Sequence, residues 1–208
     1  MTSYSKLISS ALSLRDWGRD CYCDTGCDNT CGKRFNWKFE NLPFGFDHKY
    51  VYTNIGFNLK VTDIQAAIGY SQLKKVDDFV AKRRTNHSLL KNLFLEMSDF
   101  FILPEETKKS SASWFGFALT IKNPKIKRNE LINYLENSKI GTRLLFGGNL
   151  TKQPAYKKVK YRISGELKNT DIVLENTFWV GVWPGISESN INYIYDTFKT
   201  FLKTKSLI

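Results

Sequence analysis

The sequence has few of the residues that usually mark a functional site. It contains no cysteine beyond residue 31, only 2 histidines in 208 residues, and no internal repeat or low-complexity linker. No apolar run reaches the length of about 18 residues that suggests a membrane span, and residues 1–20 carry no clear signal-peptide cleavage pattern. We therefore expect a cytoplasmic protein, in which clustered cysteines serve metal or redox sites more often than disulfides.

The composition is that of a globular protein with a basic surface. The chain is 42% apolar and 14% aromatic, which is sufficient for a hydrophobic core. Its 31 lysines and arginines against 20 acidic residues give a net charge of +11, so nucleic acid and anionic small molecules are the partners to consider. The basic residues are scattered, with short groups only at 82–84 and 157–162, which favours a solvated basic face.

Three stretches of the chain differ in pattern. Residues 15–60 are rich in Gly, Asn, Asp and aromatics without periodicity, which predicts ordered loops and short strands. Thr62 followed by Gln65 is a capping-box signature that predicts a helix, and apolar spacing predicts a second helix over 77–97. Beyond residue 101, predicted strands alternate with predicted helices, as in an α/β fold. The strands are 114–121, 142–146 and 178–182, and the helices are 128–138 and one that begins after Ser187.

Cys21, Cys23, Cys27 and Cys31 are the most informative feature of the sequence. Thiolates are soft ligands, so several of them on one short loop can surround a thiophilic metal. Structural zinc prefers partners separated by about two to four residues, whereas a single residue separates the first two cysteines. Iron–sulfur clusters usually take four cysteines. An iron–sulfur site, a zinc knuckle and unrelated neighbouring thiols therefore remain as three interpretations.

Several longer motifs resemble one known family. They are RDWGRDCYC (15–23), CDNTCGKRF (27–35), GFDHKYVYTNIGFNLKVTDIQAAIGYSQL (45–73), SWFGFALT (113–120), GTRLLFGGNLTKQPAY (141–156) and NTFWVGVWPG (176–185). They resemble the CDP-4-keto-6-deoxyglucose 3-dehydrase family of lipopolysaccharide dideoxysugar biosynthesis. That family lies within the DegT/DnrJ/EryC1/StrS aminotransferase superfamily, which has the type I pyridoxal-phosphate (PLP) fold.

The resemblance implies that this α/β chain corresponds to the carboxy-terminal half of the family fold, the end of the large domain plus the small domain. Residues 1–60 would form the cysteine-rich loop and active-site segment from the end of the large domain. Residues 61–98 would form connecting helices, and residues 99–208 the small α/β domain.

The resemblance also implies a chemistry. Family members use pyridoxamine phosphate to remove the 3-hydroxyl of a CDP-4-keto-6-deoxyhexose, and a separate reductase supplies electrons through a [2Fe-2S] cluster. The cofactor acts as the electron sink while the protein positions it. The implied partners are a CDP-sugar, a second subunit of a homodimer and the reductase, without nucleic acid or membrane. The alternatives are a sugar aminotransferase of the same superfamily and, in a different class, a basic zinc-binding nucleic-acid module.

Residue roles follow from the resemblance. Cys21, Cys23 and Cys31 correspond to three clustered ligands of the iron–sulfur pattern, whereas Cys27 is an additional thiol. The fourth ligand and the catalytic histidine of the family lie upstream, so we expect no catalytic residue within this chain. Asn58 corresponds to the asparagine that reaches the cofactor phosphate across the dimer, a task for which an amide donor is suited.

The remaining assignments concern the substrate loop and the two histidines. Arg143, Gly148 and Asn149 correspond to the substrate-facing loop, where a guanidinium fork suits a diphosphate and a glycine permits close approach of the backbone. We expect His48 in the active-site loop without acting as the base, and His87 in a helix with a structural role. Because both cofactor sites would be incomplete, we expect the isolated chain to bind pyridoxamine phosphate weakly or not at all.

Overall fold

A computed structural model describes residues 5–24 and 26–208 of the chain. The chain divides into an amino-terminal unit, Met1–Gln72, and a carboxy-terminal unit, Leu73–Ile208. Within the described residues, no helix has both the length and the apolar character that a membrane crossing requires. The helices are α1 Ser5–Arg15, α2 Asp63–Leu73, α3 Val76–Phe94, α4 Arg128–Asn137, α5 Lys168–Asn176 and α6 Glu188–Thr204. The strands are β1 Phe101–Ile102, β2 Gly116–Ile121, β3 Thr142–Leu144 and β4 Thr177–Gly181.

Loops make up most of the amino-terminal unit. Between α1 and α2 the described residues form turns, a 3-10 helix at His48–Tyr50, and two isolated β-bridges. One bridge joins Asp16 to Asn58 and the other joins Arg19 to Tyr52. The predicted ordered loops are therefore present, but the short strands expected there are reduced to single bridges.

The two bridged segments cross at a pair of glycines. Gly18 has a φ of +84°, and a Cβ there would lie 1.8 Å from the carbonyl oxygen of Asn54. A Cβ on Gly56 would lie 2.3 Å from the amide nitrogen of Gly18. Gly18 needs both its positive φ and the absence of a Cβ, and Gly56 needs the absence of a Cβ, so these two glycines permit the close approach.

Helix α2 begins as its capping box predicts. The Thr62 amide donates to Gln65 Oε1 at 2.9 Å, and the Gln65 amide donates to Thr62 Oγ1 at 3.3 Å. No residue of α2 is buried, however, and the apolar side chains of Ile64 and Ile68 are 75% and 60% exposed. The predicted apolar stripe therefore exists but is exposed among the residues that the structure describes.

The carboxy-terminal unit is built on one antiparallel sheet of four strands in the order β1-β2-β4-β3. Strand β2 alternates partly exposed and buried positions, with Phe117, Leu119 and Ile121 buried. This period of two is expected for a strand with one face against a core. The core side chains come from the sheet and from α3, α4 and α6, whose contributions include Phe94 and Leu131.

Helix α6 supplies the largest share of helical core residues. Its cap residue Ser187 accepts from the Asn190 amide, and the Asn190 side chain accepts from the Ser187 amide, so the predicted helix start is confirmed. The ring of Phe198 packs edge-on against Phe94 at 4.9 Å and against Phe101 at 5.8 Å between centroids. Such edge-to-face pairs stabilise a core beyond the apolar area they bury.

Three features of this unit differ from the predicted elements. Strand β3 ends at Leu144, earlier than the predicted end at residue 146, because Phe146 and Gly148 both take positive φ and turn the chain. Strand β1 and helix α5 were not predicted. Strand β1 has only two residues, and α5 has no buried residue that would give it a strong apolar pattern.

Candidate functional site

Three of the four cysteines line one small cavity in the amino-terminal unit. The cavity has a volume of about 10 Å³, and its lining residues are Cys21, Cys23, Asp28, Asn29, Cys31, Arg34, His48 and Lys49. All four cysteines are free thiols. Cys27 is exposed and is not among the residues that line the cavity. The structure thus brings together the three cysteines of the predicted ligand set and separates the fourth from them.

Hydrogen-bond donors from residues 28–34 point at the sulfurs of Cys23 and Cys31. The Thr30 amide donates to Cys23 Sγ at 3.4 Å, and the Lys33 amide donates to Cys31 Sγ at 3.4 Å. The Thr30 hydroxyl and the Cys31 amide lie close enough to Cys23 to influence its pKa. These groups lower the pKa of the Cys23 thiol, with the Thr30 hydroxyl as the largest cause. Negative charge on this sulfur is therefore stabilised by the fold itself.

The Cys21 thiol behaves in the opposite way. Burial raises its pKa, and the nearby Cys23 thiol adds to that effect, while the positive charge of Arg19 opposes it. The two neighbouring thiols thus differ in their readiness to ionise. A metal that binds both must displace a proton from Cys21 more often than from Cys23.

A short turn, Asp47–Lys49, contacts the two stretches of chain that carry the cavity cysteines, residues 20–23 and residues 28–34. Asp47 accepts two hydrogen bonds from the Arg34 guanidinium at 2.8 and 2.6 Å, and Lys49 pairs with Asp28. On the other segment, His48 Nε2 lies 2.6 Å from Asp20 Oδ2. Consecutive residues of one turn therefore fix residues 28–34 on one side and the start of the 20–23 segment on the other.

These ion pairs shift the pKa values of the acidic partners. The hydrogen bonds from Arg34 lower the pKa of Asp47 to about 2. The hydrogen bond from Lys49 lowers the pKa of Asp28, and the same contact raises the pKa of Lys49. Both carboxylates are therefore charged at neutral pH, and the turn keeps its electrostatic contacts.

His48 is held by aromatic rings as well as by Asp20. It is 2% exposed, and its ring stacks on Trp37 at 4.7 Å and on Phe39 at 5.3 Å between centroids. Asp20 in turn accepts from the Thr53 hydroxyl at 3.1 Å. With its ring enclosed and its Nε2 engaged, His48 is placed to hold the loop. Its expected lack of a catalytic base role remains a prediction.

The sulfur donor set is chemically suited to an iron–sulfur cluster. Thiolates are the ligands of such clusters, and hydrogen bonds to sulfur are a usual part of their surroundings. Among residues 5–24 and 26–208, no three His, Cys, Asp or Glu side chains are arranged to hold one metal ion. A binuclear cluster does not require convergence on one point, because its protein ligands are divided between two iron atoms.

Asn58, the predicted phosphate ligand, lies on the exposed surface of the amino-terminal unit. Its backbone pairs with Asp16, and the flanking amides of Phe57 and Leu59 donate to the carbonyls of Leu14 and Arg15 at 2.7 and 2.9 Å. The backbone position of Asn58 is thereby fixed while its side chain remains accessible. Its contact with a cofactor phosphate remains a prediction.

The predicted substrate residues lie together in the carboxy-terminal unit, but their side chains differ in availability. Arg143 is exposed on β3, and its Nη1 donates to the carbonyl of Thr142 at 2.7 Å. Asn149 is 2% exposed; its Nδ2 donates to Asp171 at 2.7 Å and its Oδ1 accepts from Thr151. Gly148 has a φ of +57°. Substrate contact remains a prediction for all three. In this structure the Asn149 side chain already makes hydrogen bonds to Asp171 and Thr151.

Sequence reasoning missed the residues that support the thiols. The Asp47–Lys49 turn and Thr30 lie inside two of the quoted motifs, but those motifs do not reveal their contacts, because several partners lie far along the chain. A weak signal existed in the charges around the cysteines, because Asp20, Asp24 and Asp28 are followed by Lys33 and Arg34, which provides complementary charges on adjacent loops.

Comparison with known proteins gives consistent matches. A sequence model of the DegT/DnrJ/EryC1/StrS aminotransferase family matches residues 36–199. The lipopolysaccharide biosynthesis protein RfbH of Salmonella typhimurium is 52% identical over 201 residues, which cover 96% of this chain and 46% of RfbH. The dTDP-4-dehydro-2,6-dideoxy-D-glucose 3-dehydratase of Saccharopolyspora spinosa is 49% identical over 207 residues, which cover 99% of this chain and 45% of that enzyme. The chain thus spans less than half the length of each relative.

A solved structure gives the same result for the fold. The E. coli GDP-4-keto-6-deoxy-D-mannose-3-dehydratase with bound hydrated PLP matches with a TM-score of 0.67 at 25% identity. The match covers 81% of this chain and 46% of that one. The predicted fold class, an α/β chain with the fold of PLP-dependent transferases, is confirmed.

Proposed function

Because the chain belongs to the DegT/DnrJ/EryC1/StrS aminotransferase family, we propose that it takes part in a PLP-dependent enzyme that modifies a nucleotide-linked sugar. The names of the similar proteins support this, since one acts in lipopolysaccharide biosynthesis and two are 3-dehydratases of nucleotide-linked sugars. The chain spans less than half of the two sequence relatives, so the activity is proposed for an assembly that contains it.

Within the family, the proposed reaction is removal of the 3-hydroxyl from a CDP-4-keto-6-deoxyhexose in O-antigen biosynthesis. The observation that carries this choice is the cavity lined by Cys21, Cys23 and Cys31, with hydrogen-bond donors directed at two of the sulfurs. A sugar aminotransferase is the nearest alternative. It requires no electron supply, so it would not explain a cavity lined by three cysteines. The zinc-binding nucleic-acid module is disfavoured because it leaves the family match unexplained.

Each proposed ligand has residues suited to it. A bound [2Fe-2S] cluster would be held by the three cavity cysteines, with a further ligand from outside this chain, and would carry single electrons from a reductase. PLP or pyridoxamine phosphate supplies an electron sink for breaking the bond to the 3-hydroxyl. Asn58 would donate to its phosphate across a homodimer, and Arg143 and the 148–149 backbone would face the nucleotide sugar. The cytoplasmic location remains a prediction.

The cluster is tested by metal analysis of cysteine variants. After anaerobic reconstitution with ferrous iron, sulfide and an excess of a small thiol to supply the missing fourth ligand, we expect the wild-type chain to retain about two irons and two sulfides. Cys21→Ser, Cys23→Ser and Cys31→Ser should each lower that content several-fold, because a hydroxyl is a poor ligand for iron in a thiolate site. The matched control is Cys27→Ser, which should retain the wild-type content.

Two results would contradict the proposed cluster. One is stoichiometric zinc in the purified protein without any uptake of iron and sulfide. The other is an equal loss of iron in Cys27→Ser and in the three cavity variants, which would show that the cavity does not define the site.

A further inference from the structure

Three aromatic rings and an arginine lie together on the face of the sheet opposite the core. Trp179 of β4 projects to this face, because both of its neighbours in the strand are buried on the core side. It pairs across the sheet with Arg143 of β3, so the two side chains share one face. The ring of Phe115 meets Trp179 edge-on at 5.2 Å between centroids, and the ring of Phe146 lies 6.3 Å from that of Phe115. We call these three rings the aromatic platform.

Contacts within the sheet hold the platform in place. Gly116 leaves room for the Trp179 ring, since a Cβ there would lie 2.6 Å from the ring atom Cε3. The Leu144 carbonyl accepts from Trp179 Nε1 at 3.2 Å and from the Phe146 amide at 2.7 Å. The Phe115 carbonyl accepts from the amide of the residue after β4 at 2.9 Å. The rings are therefore positioned before any ligand binds.

Phe146 is exposed and also takes an unfavourable backbone conformation. Its side chain is 74% exposed, and that of Phe115 is 51% exposed. The φ of Phe146 is +49°, which bulky residues rarely adopt. Neither burial nor backbone preference therefore accounts for a phenylalanine at this position. Strained residues of this kind are concentrated at ligand-binding and other functional positions.

We propose that the aromatic platform stacks the base of the nucleotide-linked sugar and that Arg143 binds the attached phosphates. This inference rests on the proposed function and names the groups that would hold the nucleotide part of the substrate. Every base has a flat π face that stacks on aromatic side chains. A guanidinium has five N–H donors that suit phosphate oxygens, and the bond from Arg143 to the Thr142 carbonyl uses one of them. A flat ring joined to an anionic group thus matches rings with a cation beside them.

The experiment measures the binding of CDP and of pyrophosphate to the full 208-residue chain by isothermal titration calorimetry. Phe146→Leu and Phe115→Leu each keep an apolar side chain but remove a ring of the platform. Arg143→Gln removes the positive charge. The matched control is Tyr161→Leu, which removes a ring that is 50% exposed and lies outside the platform. Circular dichroism checks that each variant retains the wild-type fold.

We expect the wild-type chain to bind CDP more tightly than pyrophosphate, because pyrophosphate has no base to stack. Phe146→Leu and Phe115→Leu should each weaken CDP binding about tenfold and leave pyrophosphate binding unchanged. Arg143→Gln should weaken the binding of both ligands, since both contain the phosphates that it contacts. Tyr161→Leu should bind both ligands like wild type.

Three results would overturn the inference. They are unchanged CDP binding in both phenylalanine variants, an equal loss of CDP binding in Tyr161→Leu, and a wild-type chain that binds CDP no better than pyrophosphate or binds neither. None of them affects the proposed cluster, which is measured separately as iron and sulfide at the cysteines. Conversely, a chain that binds CDP as expected but takes up no iron and sulfide would retain the platform and lose the cluster.

Discussion

His87 is the residue whose protonation we expect to control the acid stability of the carboxy-terminal unit. It is 5% exposed, its ring stacks on Trp114 at 4.3 Å between centroids, and its Nε2 has no hydrogen-bond partner in the part of the chain that the structure describes. Burial lowers its pKa from 6.5 to about 4, with Lys91 adding to the effect and Glu106 opposing it. The folded state therefore disfavours the charged ring.

The sign of the pH dependence follows from this difference. Between about pH 6.5 and pH 4 the unfolded chain binds a proton that the folded chain does not, so the free energy of unfolding falls as the pH is lowered. At about 1.4 kcal/mol for each pKa unit, the loss over this range is at most about 3.5 kcal/mol. The contribution is fully present above pH 6.5.

Replacement of His87 by Phe should remove this dependence. The new ring retains stacking on Trp114 and has no proton to bind, so the free energy of unfolding should become flatter between pH 4 and 6.5. Urea unfolding at a series of pH values measures the effect. His48→Phe, which removes the other histidine, should retain the slope that belongs to His87. An unchanged slope in His87→Phe would contradict the assignment.

At the same scale, the cysteines show how much of the candidate site the spacing of residues in the sequence can predict. Their spacing predicts neighbouring thiols, and three of them do line one cavity. The supporting contacts could not be predicted, because they join residues 13 positions apart for Arg34 with Asp47 and 28 positions apart for His48 with Asp20. Such pairings depend on how loops meet in space, and no local propensity encodes them.

Helices α2 and α4 have similar lengths but contribute differently to stability. Leu131 of α4 is completely buried in the core, whereas Ile68 of α2 is 60% exposed. Leu131→Ala should therefore lower the free energy of unfolding by about 2–5 kcal/mol, since it removes apolar contacts and leaves a cavity. Ile68→Ala should change it by no more than about 0.5 kcal/mol.

The comparison is made by urea unfolding of both variants at low protein concentration. The substitutions are matched in kind, since each shortens an aliphatic side chain within a helix. An Ile68→Ala variant that loses as much stability as Leu131→Ala would show that α2 is covered in solution.

Elements with a capping signal or a strong apolar period were predictable, and those with neither were not. Helices α2 and α6 begin at capping boxes formed by residues three positions apart. Helix α1 has only a weak apolar pattern, and strand β1 exists because Phe101 and Ile102 pair with the distant end of β2. The pairing that defines β1 is nonlocal, so its two residues carry no signal of their own.

At the scale of the whole molecule, the balance between exposed apolar surface and charge decides how the chain behaves in solution. Apolar side chains are exposed along the segment 55–61 at every second position, from Ile55 at 99% to Val61 at 68%. Ile64 and Ile68 continue this exposure on α2. Surfaces of this kind usually mark contacts with other polypeptides. The net charge of +11 opposes association but is distributed over the chain.

We expect the isolated chain to self-associate through the apolar row on α2, and the double variant Ile64→Lys/Ile68→Lys to reduce that association. Lysine is well tolerated in an exposed helix, so the fold should persist. Sedimentation velocity at a series of concentrations should give a wild-type average coefficient that rises with concentration and a variant coefficient that stays nearly constant. Val159→Lys/Ile163→Lys adds the same two charges at side chains that are each 51% exposed and should associate like wild type. Equal dissociation of both double variants would show that charge repulsion, and not the α2 row, governs association.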